Sequence, residues 1–282
     1  MRRRFSDVLR TADINIVREY KNLVALFCNK KDITDGKGDR TTYSSHCASN
    51  FLLLPEWFRN GSINIFDFMC YYGIVIKDAE RESVSIDDLV NLCEYVYNIA
   101  NAHGPICFLR IVGTNRDYTL FLLNHIESLV EKIGYMPNRI GNITDFVPKN
   151  QAAIAVAEII EEDLAYDVIE YNHHSMCGNL SAKGTVLRKL GNQLEPRRSS
   201  LEMVNKELSD NIFFILNNMN LRHNNSTQGD KNYKPFVCKM PKSELEIWYD
   251  ELYQMCLLAF LELDNIERME RMKDLKRNFK LC

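Results

Sequence analysis

Residues 243–266 constrain the fold most, because their apolar side chains recur at the spacing of an α-helix. The apolar positions are Leu245, Trp248, Leu252, Met255, Ala259, Leu263 and Ile266. Steps of three and four residues put these side chains on one face of a helix. Ser243 and Glu246 have the spacing of a capping box, in which each side chain satisfies a free backbone N–H group at a helix start. The charged residues from Glu267 onward predict a solvated tail.

Three further helical patterns precede this one, over residues 152–171, 181–194 and 200–221. The second ends before Pro196, since a proline disfavours helical geometry in the residue before it. The third contains residues 212–216, which are apolar on every side. Such a segment predicts the central, buried helix of a bundle.

The first half of the chain has helical patterns over residues 14–29, 85–103 and 117–133. A Gly-Pro pair at 104–105 is a typical end for the second of these helices. Residues 63–76 are rich in aromatic and branched side chains, and they fit either a buried strand pair or a core helix. Periodicity does not separate these two alternatives.

Residues 135–150 lack helical spacing and contain two prolines and a glycine, which is compatible with a short hairpin. We place a domain boundary in this stretch. The expected fold class is mainly α. Residues 1–147 would form a mostly helical N-terminal domain with possible short strands, and residues 148–282 a helical bundle.

The composition gives no overall attraction to nucleic acid, because the net charge is −3 and the isoelectric point is about 6.1. Binding to nucleic acid would need a local basic patch. One candidate patch lies along the third quarter of the chain and contains Lys183, Arg188, Lys189, Arg197 and Arg198. It would either face an RNA backbone or keep a helix-loop junction soluble.

The chain starts with three arginines, but the apolar segment of a signal peptide does not follow them. We therefore expect a cytoplasmic protein that does not enter a membrane. The nine cysteines are irregularly spaced and form no C-x-x-C pair, which argues against disulfides and a zinc ribbon. His173, His174 and Cys177 lack a second ligand cluster, so we predict neither a metal nor another cofactor.

The cluster Arg222-His223-Asn224-Asn225 is the strongest candidate site. Arg222 offers a permanent charge and planar donors suited to phosphate, and His223 can exchange a proton near neutral pH. Asn224 and Asn225 add neutral donors and acceptors. A helix carboxyl end favours positive charge, so the histidine would act as a proton donor to a phosphodiester leaving oxygen. Alternatively, the cluster only satisfies the last helical carbonyls and forms the following turn.

Arg40 and His46 form a second candidate pair. Their spacing matches that of some metal-independent ribonucleases, although they lie in or beside a glycine-containing loop and such a spacing is common by chance. The sequence contains no nucleotide-binding fingerprint, phosphate-binding loop, nucleophile elbow or H-E-x-x-H motif.

The segments 169–174, 194–196 and 217–225, with 248–253 and 263–265, resemble the carboxyl-terminal module of bacterial abortive-infection proteins of the AbiJ type. These proteins confer phage resistance. Their module is similar to the HEPN superfamily, whose members are up-and-down helical bundles, usually dimeric, and whose active members cleave RNA.

The HEPN motif is an arginine, a polar residue and then a histidine a few positions later. Arg222 stands where the family has its arginine, and His223 where it has the polar neighbour. The terminal histidine is missing, because Thr227, Gln228 and Gly229 occupy its window. The family would then imply RNA binding, partner binding, or a cleavage site completed by another residue.

The resemblance implies a cytoplasmic, homodimeric antiviral protein that aborts phage infection by cleaving or binding RNA without a metal. The catalytic residues would be Arg222, His223 and Asn225, and the RNA-binding residues would be Asn224, Arg188, Arg197 and Arg198. The alternative is a noncatalytic interaction or sensor protein that recognises a phage protein.

Overall fold

The computed structural model describes residues 14–29, 33–59, 61–71, 73–79, 82–103 and 109–279. The charged start of the chain and the Gly-Pro pair at 104–105 lie outside these residues. The chain divides between Pro148 and Lys149 into two compact units, which we call the N-terminal and the C-terminal unit. Helices predominate, which confirms the predicted mainly α fold class.

The N-terminal unit contains the helices α1 (Ile16–Val24), α2 (Tyr43–Ser49), α3 (Glu56–Arg59), α4 (Ile65–Tyr71), α5 (Ile86–His103) and α6 (Tyr118–Lys132). A π-helical turn, Ala25–Asn29, continues α1, and a 3₁₀ turn, Phe51–Leu53, follows α2. The segment 63–76 is therefore helical in its middle. Helix α2 was not predicted, although Thr42 caps it by accepting the Ser45 N–H group at 3.1 Å.

The strands of the N-terminal unit are short and antiparallel. Strand β1 (Ile33–Thr34) lies between β2 (Arg40–Thr41) and β3 (Arg110–Ile111). Strands β4 (Tyr135–Ile140) and β5 (Ile143–Pro148) form a hairpin, as the pattern of residues 135–150 allowed.

Helix α5 organises the core of the N-terminal unit. Its Tyr95 packs against Phe27 with ring centroids 5.7 Å apart. The Asn98 side chain accepts the Thr144 N–H group at 2.8 Å and donates to the Thr144 carbonyl at 2.7 Å. These bonds tie the β4–β5 hairpin to α5. The helix ends at His103, whose side chain is buried.

The C-terminal unit is a helical bundle with α7 (Gln151–Ala157), α8 (Glu162–Glu170), α9 (Leu180–Leu194), α10 (Arg198–Asn218), α11 (Pro235–Lys239) and α12 (Lys242–Phe279). Short 3₁₀ turns, His174–Met176 and Glu195–Arg197, join some of them. Helices α9, α10 and α12 pack against one another around a core that includes Leu190, Leu216 and Leu252.

The predicted single helix over residues 152–171 is wrong, because the chain turns between α7 and α8. Its apolar spacing fits one helix, and Ala153, Val156, Leu164 and Val168 are all buried as expected. However, α7 packs against α12 while α8 packs against α9. One straight helix cannot bury its face against both, so tertiary packing overrides the local pattern.

The predicted capping box at the start of α12 is also wrong. The Pro241 carbonyl accepts the N–H group of Leu245, and the Glu246 carboxylate turns away from the helix start. It accepts Nζ of Lys183 at 2.8 Å and the Gly178 N–H group at 2.7 Å. A buried ammonium group is a stronger partner for a carboxylate than an exposed N–H group.

Lys183 therefore joins α9 to α12. Its Nζ atom also contacts the Asp250 carboxylate at 2.7 Å, and Tyr171 donates to the same carboxylate at 3.0 Å. Burial lowers the pKa of Lys183, but the two carboxylates outweigh this effect and the net pKa is raised. The lysine thus stays charged and works as a structural link.

Helix α10 bends at Asn205, whose backbone dihedrals are non-helical. The Asn205 side chain accepts the Leu208 N–H group at 3.1 Å and so caps the second part of the helix. Within the predicted central run, Ile212, Phe213, Ile215 and Leu216 are buried. Phe214 is 59% exposed, so the run is not covered on every side as predicted.

Candidate functional site

The candidate cluster lies in the loop after α10 and does not end the helix as predicted. The helix ends at Asn218, and Asn220 then adopts a left-handed backbone with φ of 58°. Asparagine tolerates this conformation better than most residues. The backbone N–H group of Arg222 donates to the Leu216 carbonyl at 3.0 Å, which folds the loop back against the helix end.

The Arg222 side chain is held on the bundle surface and is only 19% exposed. Its guanidinium forms an ion pair with the Glu195 carboxylate and lies 5.5 Å from the centre of the Phe213 ring. Its buried Nε atom has no hydrogen-bond partner within the described residues. A phosphate that reached Arg222 would therefore have to compete with Glu195.

Arg198 is brought to the same ring as Arg222. Its guanidinium carbon lies 4.5 Å from the centre of the Phe213 ring, and its Nε atom donates to Glu202 at 2.8 Å. Phe213 thus gathers two arginines that are far apart in sequence. No pattern in the sequence predicts this convergence, because it depends on the bend of α10 at Asn205.

His223 and Asn224 are exposed in the loop. The Asn224 side chain accepts the N–H groups of Ser226 at 3.3 Å and Thr227 at 3.1 Å, which forms an Asx turn. His223 precedes this turn directly. Its side chain is open to solvent.

Asn225 is fully buried and organises the loop. Its side-chain oxygen accepts the Asn220 N–H group at 2.9 Å, and its amide nitrogen donates to the carbonyls of Asn232 at 2.9 Å and Asn217 at 3.3 Å. Its backbone accepts the Lys234 N–H group at 2.8 Å. These bonds use both amide protons and the side-chain oxygen within the loop, so Asn225 contributes to any site by holding the loop in shape.

The remaining predicted binding residues lie along α9 and at its end. Arg188 is half-buried and donates to the Thr185 hydroxyl at 3.0 Å. Arg197 is exposed and lines an open cleft of about 480 Å³ with Glu161 and Pro196. The basic patch is largely neutralised by carboxylates: Lys183 pairs with Glu246 and Asp250, Lys189 with Asp167, and Arg198 with Glu202.

An apolar groove on the C-terminal unit escaped the sequence analysis. It lies between α10, α11 and α12 and has a volume of about 930 Å³. Ile215 and Val237 form its buried floor. Its walls carry the exposed side chains of Phe214, Phe236, Ile247 and Trp248. We call the surface formed by these four wall side chains and the two floor side chains the aromatic groove. Its only signal in the sequence was the run at 212–216, which is apolar on every side.

The second candidate pair belongs to the N-terminal unit. Arg40 is exposed in β2, directly after the turn that contains Gly36 and Gly38, and His46 lies further along on α2. Burial lowers the pKa of His46, and the nearby Asp35 charge opposes this only in part. The Asp35 carboxylate is engaged with the N–H groups of Lys37 at 2.9 Å and Asp39 at 3.0 Å, so it shapes the turn.

The three residues that the sequence analysis considered as metal ligands, His173, His174 and Cys177, do not form one metal site. The rings of His173 and His174 are 4.0 Å apart, and Cys177 is exposed. Among the described residues, Cys177 does not form a metal-sized group with the two histidines. His173 instead caps the His174–Met176 turn by accepting the Ser175 N–H group at 3.3 Å.

Comparisons with protein-family models, with curated proteins and with solved structures found no match for this chain. Of the helices described, none combines the length and the apolar character that crossing a membrane requires.

Proposed function

We propose that this chain is a cytoplasmic, homodimeric phage-defence protein of the abortive-infection type that handles RNA through its C-terminal unit. The proposal is supported by the motif resemblance around Arg222 and by one observation on the loop. The exposed residue His223 directly follows Arg222 in the chain, and the guanidinium of Arg222 lies over the same Phe213 ring as that of Arg198. Two guanidinium groups over one ring, with a histidine next in the sequence, suit a phosphodiester.

The proposed reaction needs no metal. The guanidinium of Arg222 would hold the phosphate while the 2′-hydroxyl oxygen of the RNA attacks phosphorus and loses its proton to water. The bond to the 5′ oxygen breaks, and the His223 imidazolium gives its proton to that leaving oxygen. The products would be a 2′,3′-cyclic phosphate and a 5′-hydroxyl end.

The test incubates the full chain with labelled single-stranded RNA in EDTA and measures both RNA retention and cleavage. His223→Ala removes an exposed side chain, so it should abolish cleavage while retention and folding persist. Arg222→Ala should abolish retention and cleavage together. If Arg222→Ala leaves RNA handling and phage resistance intact, the site is refuted.

Glu195→Gln is the matched control for Arg222. It keeps the side-chain shape but removes the carboxylate charge that competes with phosphate. We expect it to raise RNA retention several-fold, because the guanidinium then has no anionic partner in the pair. Equal or weaker retention by Glu195→Gln would mean that Arg222 does not bind the backbone.

The second candidate function is a noncatalytic sensor of a phage protein, and the aromatic groove favours it. Exposed aromatic and branched side chains around a concave surface are typical of protein-binding sites. In that case RNA would not be turned over. Groove substitutions such as Phe236→Asp would then cost phage resistance, whereas His223→Ala would not.

A further inference from the structure

Two apolar surfaces of the C-terminal unit are exposed. One is the aromatic groove. The other is the end of α12, which we call the tail helix and define as residues 267–279. Every residue of the tail helix is exposed, including its apolar side chains Met269, Met272, Leu275 and Phe279. Isolated helices of this length are marginal in water, so a partner would stabilise it.

The two surfaces lie along the same side of α12. At 3.6 residues per turn, Ile247, Leu258, Met269 and Met272 fall within about 60° of one another around the helix axis. Leu258, in the middle, is exposed as well. Apolar side chains thus recur along this side of the 38-residue helix from the groove to the tail helix, and the polar residues Glu251, Gln254, Asn265 and Lys276 lie between them.

The tail helix cannot fill the groove of its own molecule. Trp248 in the groove and Met272 in the tail belong to the same continuous helix, and the rise per residue puts them about 36 Å apart. Bringing them together would require the helix to break. Only another molecule can place a tail helix in this groove.

The charges along α12 also suit a second copy in the opposite direction. Residues 243–251 contain four acidic residues and no basic ones, whereas residues 271–277 contain four basic residues and one acidic one. Lys183 neutralises part of the acidic end, but Glu244 and Glu251 remain exposed there. Two antiparallel α12 helices would set each basic tail against the acidic start of the other.

We propose that two copies of this chain pair through antiparallel α12 helices, with the tail helix of each copy seated in the aromatic groove of the other. The inference rests on the homodimer of the proposed function and names its interface. The arrangement is a closed two-fold dimer, because the same two surfaces meet twice. It is a helix-in-groove contact in which Met272 and Leu275 meet the exposed aromatic walls.

Sedimentation analysis of the full chain tests this interface with two variants at exposed positions. The tail variant is Met272→Asp with Leu275→Asp, and the groove variant is Phe236→Asp with Ile247→Asp. Each alone should weaken dimerisation at least tenfold, because a charge would enter both apolar contacts. Far-UV circular dichroism should remain that of the unmodified chain.

Mixing the tail variant with the groove variant is the decisive experiment for this interface. The groove variant still has an intact tail, and the tail variant still has an intact groove, so one of the two contacts can re-form. A heterodimer should therefore form in the mixture more tightly than either variant pairs with itself. If the variants dimerise as well as the unmodified chain, or if the mixture stays monomeric, this interface is refuted.

A charge reversal gives an independent readout. Lys273→Glu with Lys276→Glu should weaken the dimer, and adding Glu244→Lys with Glu251→Lys in the same chain should restore it. Failure of the restoration would contradict the antiparallel arrangement. A monomeric unmodified chain would contradict both this interface and the proposed homodimer, whereas RNA retention is measured separately and tests the proposed function alone.

Discussion

Asn225 and Asn224 are adjacent residues of the same type with different physical roles. Asn225 is buried and makes three side-chain hydrogen bonds across the loop, whereas Asn224 is exposed and makes only a local turn. Removing a buried amide leaves its former partners without hydrogen bonds, and that cost exceeds the value of an ordinary bond.

We expect Asn225→Ala to lower the free energy of unfolding of the C-terminal unit by about 3 kcal/mol. Asn224→Ala is the matched control and should cost less than about 1 kcal/mol. Urea unfolding and hydrogen exchange of the loop amides measure both. Similar losses in the two variants would show that Asn225 does not organise the loop.

His103 predicts how the N-terminal unit responds to acid. Burial, with a smaller contribution from His46, lowers the pKa of His103 from 6.5 to about 4. On acidification the unfolded chain therefore takes up a proton before the folded chain does, so stability falls as the pH drops from 6.5 to 4. The loss approaches about 3 kcal/mol across that window.

Hydrogen exchange of the α5 amides at pH 7 and pH 4.5 measures this effect in the N-terminal unit. The amides should exchange with a smaller opening free energy at the lower pH, after correction for intrinsic exchange rates. A His103→Met variant, which lacks the titrating group, should show a flatter pH dependence. An equally steep dependence in the variant would assign the effect to other groups.

The contact between α9 and α10 shows how closely the helices of the bundle pack. A Cβ atom added at Gly191 would lie 2.7 Å from Cδ1 of Leu216, which is too short for any real contact. At Gly184, on the same helix, the nearest atoms would lie 3.4 Å away, which is ordinary contact.

Gly191→Ala should therefore destabilise the C-terminal unit by about 1–3 kcal/mol through overpacking. Gly184→Ala should be neutral, or stabilising by up to about 1 kcal/mol, because alanine favours helix more than glycine does. Thermal unfolding of the two variants gives the comparison. If Gly191→Ala does not lower the stability of the C-terminal unit, α9 and α10 are less closely packed than this distance indicates.

Periodic apolar patterns predicted the positions of α5, α6 and α9 well, because each of these helices buries one face on one core. The same reasoning failed between α7 and α8, where one pattern serves two packing partners. It also failed at the start of α12, where Glu246 binds Lys183. That lysine lies on another helix, so local spacing carries no trace of the pair.

The candidate site was predicted only in part for the same reason. Sequence reasoning singled out Arg222 and His223, and a short motif suffices for that. It could not show that Glu195 pairs with Arg222 or that Phe213 gathers Arg198 beside it. The first contact joins the turn after α9 to the loop after α10, and the second depends on the bend of α10 at Asn205. The exposed wall of the aromatic groove was equally hidden, since apolar residues in a sequence indicate burial by default.

At the scale of the whole molecule, the N-terminal and C-terminal units have different places in our proposals. The N-terminal unit carries short strands and a helical core around α5, and our proposals assign it no chemistry. The C-terminal unit carries both the Arg222–His223 loop and the aromatic groove. We thus propose that RNA handling and self-association use the same helical bundle, where Met219 and Lys234 at the two ends of the loop also line the groove.

The central claim is that the loop containing Arg222 and His223 binds RNA. Cross-linking of RNA to the full chain tests this claim most directly. Single-stranded RNA containing a photoreactive uridine is bound in EDTA, irradiated and digested, and the linked peptides are identified by mass spectrometry. We expect cross-links in the loop 219–234 and near Arg197 and Arg198, with loss of the loop cross-links in Arg222→Ala. Cross-links confined to the N-terminal unit, or a pattern unchanged in Arg222→Ala, would contradict it.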